Sequence, residues 1–148
     1  SGIIAAYCAK RGAEVTASDI DADTIEAVRL MAQRLGTDVT VVVSDLFSEI
    51  EEKFDIIVFN PPYLPSDLIE DRAVDGGAGG TRITRSFLDQ LSPHLNKSGF
   101  GIFVASSLNN PQDLTHDYPS MSFETIRERP FFFETLYVIK AKPRDPTP

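Results

Sequence analysis

At 148 residues the chain is long enough for one domain with a sizeable core, and its 42% hydrophobic and 24% charged content is ordinary for a globular fold. A formal net charge of −8 argues against a naked nucleic-acid binder, which needs a basic patch, and no apolar run approaches the roughly 20 residues that span a bilayer. The one cysteine, Cys8, excludes an internal disulfide and suits a reducing cytoplasm; with His94 and His116 far apart, no metal-ligand cluster is expected.

Residues 1–11 are mostly small and apolar and predict a helix closed by Gly12. Glu14 to Ser18 predicts a short strand ending at Asp19. Apolar residues at helical spacing (Ile25, Val28, Met31, Ala32 and Leu35) predict a helix over 21–35, with Asp21 or Asp23 as cap and Gly36 as stop. Val39 to Val43 predicts the next strand, and Phe54 to Phe59 the one after a short acidic stretch. A loop with Pro65 and the glycine-rich Asp75-Gly76-Gly77-Ala78-Gly79-Gly80 leads to a helix predicted over 81–95. Ser98-Gly99 predicts a turn into a strand over 100–105, and Asn109 to Leu114 a short helix start. Residues 123–128 and 134–141 predict a closing pair of strands joined around Pro130. Arg127, Arg129, Lys140, Lys142 and Arg144 form a loose basic cluster that reads as a solvated face and tail. The alternation predicts an α/β fold: a mostly parallel sheet with helices on both faces and a C-terminal antiparallel hairpin.

The chemistry concentrates in Asn60-Pro61-Pro62-Tyr63, which directly follows the apolar run 54–59. In open α/β sheets the carboxyl ends of strands are where ligands bind. The Asn60 oxygen and the Pro61 carbonyl can both accept hydrogen bonds from one planar NH2 group, and Tyr63 can lie against the face of that group. The plain alternative is a proline-rich turn. The block resembles the (D/N/S)PP(Y/F/W) motif of S-adenosylmethionine-dependent methyltransferases that act on planar amino nitrogens: adenine, cytosine or the glutamine amide.

That resemblance implies a Rossmann-like class I methyltransferase domain over 1–142 and a flexible tail over 143–148. It also implies that the first, central strand and most of a glycine-rich loop are missing, since Ser1-Gly2 match only the end of G-x-G-S-G. Asp19, Asp45 and Asn60 then stand at carboxyl ends of successive strands, along one crevice. Asp19 is placed for ribose hydroxyls with Ile20 beside it, Asp45 for the adenine amine with Leu46 beside the ring, and Gly2 for the methionine portion. Singly, each carboxylate is more often a helix cap or turn residue, and it is their joint order and position that favours the cofactor reading. Asn60, Pro61, Pro62 and Tyr63 hold the substrate nitrogen while it attacks the sulfonium methyl, so catalysis is mainly orientation and electrostatics.

The glycine cluster, the helix with Phe87-Leu88, and the ending Glu134-Thr135-Leu136-Tyr137-Val138-Ile139-Lys140 resemble the compact archaeal and eukaryotic branch of HemK/PrmC-type glutamine methyltransferases. The substrate this implies is the glutamine of a GGQ motif in a peptide-chain release factor. A small zinc-binding activator subunit is the implied partner, with the apolar edge Val39 to Val43 as its seat. Two other readings stand beside this one: an adenine amino-group methyltransferase acting on DNA or RNA, and a non-catalytic binding module.

Overall fold

The structure, a computed structural model, describes residues 2–63 and 80–144. The predicted Pro65 loop and residues 75–79 of the glycine cluster lie outside the described residues. Two compact units are distinguished, Ser1–Glu51 and Glu52–Pro148, where the sequence predicts a single domain. Among the described residues, no helix is long and apolar enough to cross a membrane.

The first unit contains α1 (Ile3–Ala9), β1 (Thr16–Asp19), α2 (Ala22–Leu35) and β2 (Thr40–Val43). Asp21 is the cap of α2: its carboxylate accepts from the Thr24 amide at 3.0 Å and the Thr24 hydroxyl at 2.7 Å. Those two bonds, the hydroxyl's first, hold the Asp21 carboxyl below its ordinary range. The helix buries Ile25, Val28 and Ala32 and ends at Gly36, whose φ is 61°. Leu35, which the periodicity places on the same stripe, is exposed because it lies in the last turn. β1 and β2 pair in parallel, from Thr16 opposite Thr40 to Asp19 opposite Val43. Both strands start slightly later than predicted, although the Thr40 amide still donates to the Val15 carbonyl at 2.9 Å.

The second unit contains β3 (Phe54–Phe59), α3 (Arg82–Leu91), β4 (Leu95–Ser106), α4 (Pro111–His116), β5 (Met121–Pro130) and β6 (Thr135–Pro143). Its sheet runs β3-β4-β6-β5. β3 and β4 are parallel, while β6 is antiparallel to both β4 and β5, giving the expected C-terminal hairpin. The described strands thus form two sheets, a parallel pair and a mixed four-stranded one.

Several boundaries differ from the sequence reading, with β5 and β6 each running longer than predicted, and two differ for a clear local reason. The helix predicted to reach Leu95 stops at Leu91; Pro93 has no N–H to continue it, and a 3-10 turn over Ser92–His94 delivers Leu95 to β4. Ser98-Gly99 is not a turn before the strand but part of β4. The pairing jumps there, from Leu95 opposite Phe54 to Phe100 opposite Ile56.

The core of this unit is aromatic. Phe87 of α3 packs its ring 4.8 Å from Phe59 and 6.4 Å from Phe103, and Phe103 meets Phe123 edge-on at 6.5 Å. Leu88, Leu91, Ala105, Ile139 and Ala141 close the same layer. This packing fixes the carboxyl end of β3, one residue before Asn60.

Candidate active site

Asn60 leaves β3 exposed, while Pro61 is buried and Pro62 and Tyr63 are half-buried. The prolines are thus the anchored part of the block and the asparagine amide the presented part. Among the described residues, the Asn60 side chain makes no hydrogen bond, so its oxygen is available to an incoming N–H.

Tyr63 is held from behind. Its carbonyl accepts a hydrogen bond from Asn109 Nδ2 at 2.9 Å. Gly80 comes in against the same two groups: a Cβ there would lie 2.0 Å from Asn109 Nδ2 and 2.4 Å from the Tyr63 carbonyl, and its φ is 68°. Only glycine fits that position on both counts. Burial, and secondarily the Glu134 carboxylate, push the Tyr63 phenol up from its ordinary value. Glu134 in turn accepts from the Ser106 hydroxyl at 2.5 Å, and Ser106 Oγ accepts from the Leu108 amide at 3.2 Å.

Asn109, Gly80, Ser106 and Glu134 were not singled out as site residues in the sequence. Asn109 reads as the start of a helix, Gly80 as one glycine among several, and Glu134 as a strand's first residue. Only the pairing of β3 with β4 and β4 with β6 brings them to one end of the sheet. Asn109→Ala should unfasten Tyr63 and lower the turnover number about tenfold, since small misplacements in a positioning site are costly. Steady-state kinetics at saturating cofactor checks this, with cofactor affinity expected to be unchanged.

In the first unit, Asp19 and Asp45 stand at the carboxyl ends of the paired strands β1 and β2. Asp19 faces Val43 in the register, so Asp45 lies two residues past its partner. Asp19 Oδ1 accepts the Asp21 amide at 3.0 Å, which leaves Oδ2 for a ligand. Ile20 beside it is 63% exposed, an unusual setting for an isoleucine unless something covers it. The Asp45 carboxylate is exposed, while its amide is tied to Ser48 Oγ at 3.2 Å. Ser44 Oγ donates to the Leu46 carbonyl at 2.9 Å and accepts from the Glu49 amide at 3.1 Å. This network holds Leu46 at φ 52°, a strained conformation for a leucine. Gly2 adopts φ 63° at the start of α1, and a Cβ there would press to 2.8 Å from Val28 Cγ2.

The donor set suits an adenosine-type cofactor: carboxylate oxygens for hydroxyls and an exocyclic amine, with apolar Ile20 and Leu46 beside them. Nothing in it suits a metal; among the described residues no cluster of His, Cys, Asp or Glu could hold one.

Comparison with known proteins agrees with this chemistry. The sequence pattern of the methyltransferase small domain matches residues 1–123. A relative from Methanocaldococcus jannaschii assigned as a protein N5-glutamine methyltransferase is 32% identical over 150 residues, covering 95% of this chain and 76% of that protein. The release factor glutamine methyltransferase of Koribacter versatilis is 36% identical over 127 residues, 75% of this chain and 45% of its own length. The ribosomal RNA small subunit methyltransferase C of Actinobacillus pleuropneumoniae is 36% identical over 101 residues, 68% of this chain and 28% of its own. The chain therefore spans less than half of these two bacterial relatives. Among solved structures, a methyltransferase from Pyrococcus furiosus superposes with a TM-score of 0.75 at 20% identity, covering 97% of this chain and 71% of that one. The Mtq2-Trm112 complex of E. cuniculi, described as responsible for methylation of the eRF1 translation termination factor, gives 0.63 at 22% identity, covering 95% of this chain and 92% of that one. The chain belongs to the methyltransferase small-domain family, enzymes whose methyl donor is S-adenosylmethionine.

Proposed function

We propose that the protein methylates the side-chain amide nitrogen of a glutamine in a polypeptide, and that this glutamine is the one in the GGQ motif of a peptide-chain release factor. The carrying observation is the block 60–63: an exposed Asn60 amide that makes no hydrogen bond among the described residues, on a buried Pro61, with the Tyr63 carbonyl held by Asn109. The likeness to glutamine methyltransferases of M. jannaschii and K. versatilis supports the amide as target.

When bound, S-adenosylmethionine supplies an electrophilic methyl group on a sulfonium. Asp19, Ile20, Asp45, Leu46 and Gly2 are the residues we assign to holding it. Asn60 Oδ1 and the Pro61 carbonyl accept the two amide hydrogens of the target, and Tyr63 stacks on its plane. These acceptors orient the nitrogen lone pair toward the methyl carbon and draw electron density onto nitrogen. Held this way by Asn60 and Pro61, the target nitrogen would exchange one hydrogen, released as a proton to water, for the methyl group that the cofactor would supply, whose leaving group is a neutral thioether. No group of shifted acidity is needed for that step, because the proton leaves after the nitrogen has become cationic.

A base amino group offers the same two hydrogens, and the likeness to the ribosomal RNA methyltransferase favours that second reading. The net charge of −8 weighs against it, since RNA phosphates are met with basic surfaces. For the activator, we propose β2 as its seat: among the described residues the strand is paired on one side only, by β1, and Val43 is 48% exposed. The test is to incubate the protein and labelled S-adenosylmethionine with a release factor or with ribosomal RNA, with and without a zinc-binding activator, and see which substrate is labelled.

A further inference from the structure

The turn joining β5 to β6 is built from three consecutive phenylalanines. Phe131 is 51% exposed, Phe132 93% and Phe133 85%. Phe132 and Phe133 pack edge-on against each other at 4.8 Å, and the Arg129 guanidinium lies 5.3 Å over the Phe131 ring. A hairpin turn needs none of this: Gly, Asn or Asp would close it without leaving two large apolar rings in water.

The turn is also rigid. The Phe131 amide donates to the Glu134 carbonyl at 2.7 Å, the Glu134 carboxylate takes the Ser106 hydroxyl, and the Thr135 amide donates to Ser107 Oγ at 2.9 Å. Its position follows from the register. Leu136 of β6 pairs with Ser106, the last residue of β4, and β4 is parallel to β3. The phenylalanine turn therefore stands at the same end of the sheet as Asn60, two strands away (roughly 10 Å across) and, since Asn60 is level with Val138, at least about 10 Å further along the strands, or roughly 15 Å in all. The Glu134 that fixes the turn is the carboxylate that bears on Tyr63.

We propose that Phe132 and Phe133 form a docking platform for the polypeptide carrying the target glutamine, gripping apolar side chains about five residues away from it. An extended chain covers that distance at about 3.3 Å per residue. This rests on the glutamine reading above. A shallow groove of about 470 Å³ lined by Val104, Arg127, Glu128, Arg129, Leu136 and Val138 is formed by the strands that the turn joins, together with β4, and gives such side chains a further apolar floor. Charge selects polypeptide over nucleic acid as occupant. The charged residues flanking the turn are Arg127, Glu128, Arg129 and Glu134, which cancel; Lys140 and Lys142 of the basic cluster lie toward the other end of β6, with Lys140 4.0 Å from Glu124, so the platform itself has no basic funnel for phosphates.

The test compares the parent with the Phe132→Ser/Phe133→Ser and Phe132→Leu/Phe133→Leu pairs, whose exposed positions leave folding unaffected. Fluorescence anisotropy reads binding of a labelled release factor bearing a GGQ loop, and of structured ribosomal RNA. Methyl transfer to the release factor and S-adenosylmethionine affinity are measured in parallel. The serine pair should weaken release-factor binding by at least about tenfold and the leucine pair by less than about threefold, as for a central aromatic anchor and its apolar replacement. Cofactor affinity should be equal in all three. Unchanged release-factor binding in the serine pair, with methyl transfer intact in the parent, overturns the platform and leaves the glutamine reading standing. Loss of RNA binding alone overturns the polypeptide as occupant. A parent that neither binds nor methylates the release factor overturns both.

Discussion

Replacing Asn60 with alanine should lower methyl transfer roughly 100- to 1,000-fold, the usual cost of removing one preorganised polar group aimed at a reacting centre. The loss should fall on the turnover number, because the amide oxygen orients and polarises the nitrogen as it becomes nucleophilic. S-adenosylmethionine affinity should change less than about threefold, since most of the groups assigned to the cofactor lie elsewhere in the chain. Folding should survive, because Asn60 is exposed and the block is anchored by buried Pro61 and by Phe59 against Phe87. Asn60→Asp, which keeps an acceptor, should retain more activity than the alanine variant. Single-turnover kinetics together with a thermal melt checks all of these. A turnover number equal to the parent's would remove Asn60 from the chemistry.

Asp19→Ala should weaken S-adenosylmethionine binding by roughly 10- to 100-fold, the range for losing hydrogen bonds to a charged acceptor. The turnover number at saturating cofactor should stay within about threefold. One complication is built into the geometry. Asp19 Oδ1 also holds the Asp21 amide, and Asp21 caps α2, so alanine loosens the turn as well. Asp19→Asn separates the two roles: it keeps an oxygen for the turn and replaces the other with a donor that cannot accept ribose hydroxyls. Calorimetric titration should therefore find both variants weak, and circular dichroism should find only the alanine variant perturbed.

The elements were legible where the cause is local. β3 runs over the apolar stretch read for it, and α2 begins and ends at Asp21 and Gly36, because periodicity, cap and stop are all properties of neighbouring residues. Pro93 was legible in principle, yet the apolar spacing through Leu95 masked it; the leucine belongs to a strand and is buried for a different reason. The block 60–63 was visible as a pattern because its residues are contiguous, and its role rests on the reading proposed above. Its supports were not: the Asn109 to Tyr63 bond spans 46 residues and the Ser106 to Glu134 bond 28. Such contacts are set by strand order and register, which no local pattern encodes. The phenylalanine turn is the opposite case. In the sequence it reads only as two strands joined around Pro130; exposure, the observation that gives the three phenylalanines meaning, exists only in the fold.

The most direct test of the account is mass spectrometry of a release factor incubated with the protein and S-adenosylmethionine. One added methyl group on the side-chain nitrogen of the GGQ glutamine, absent with Asn60→Ala, is the result expected. Methyl transfer to a base amino group of ribosomal RNA, with the release factor left unmodified, would contradict it.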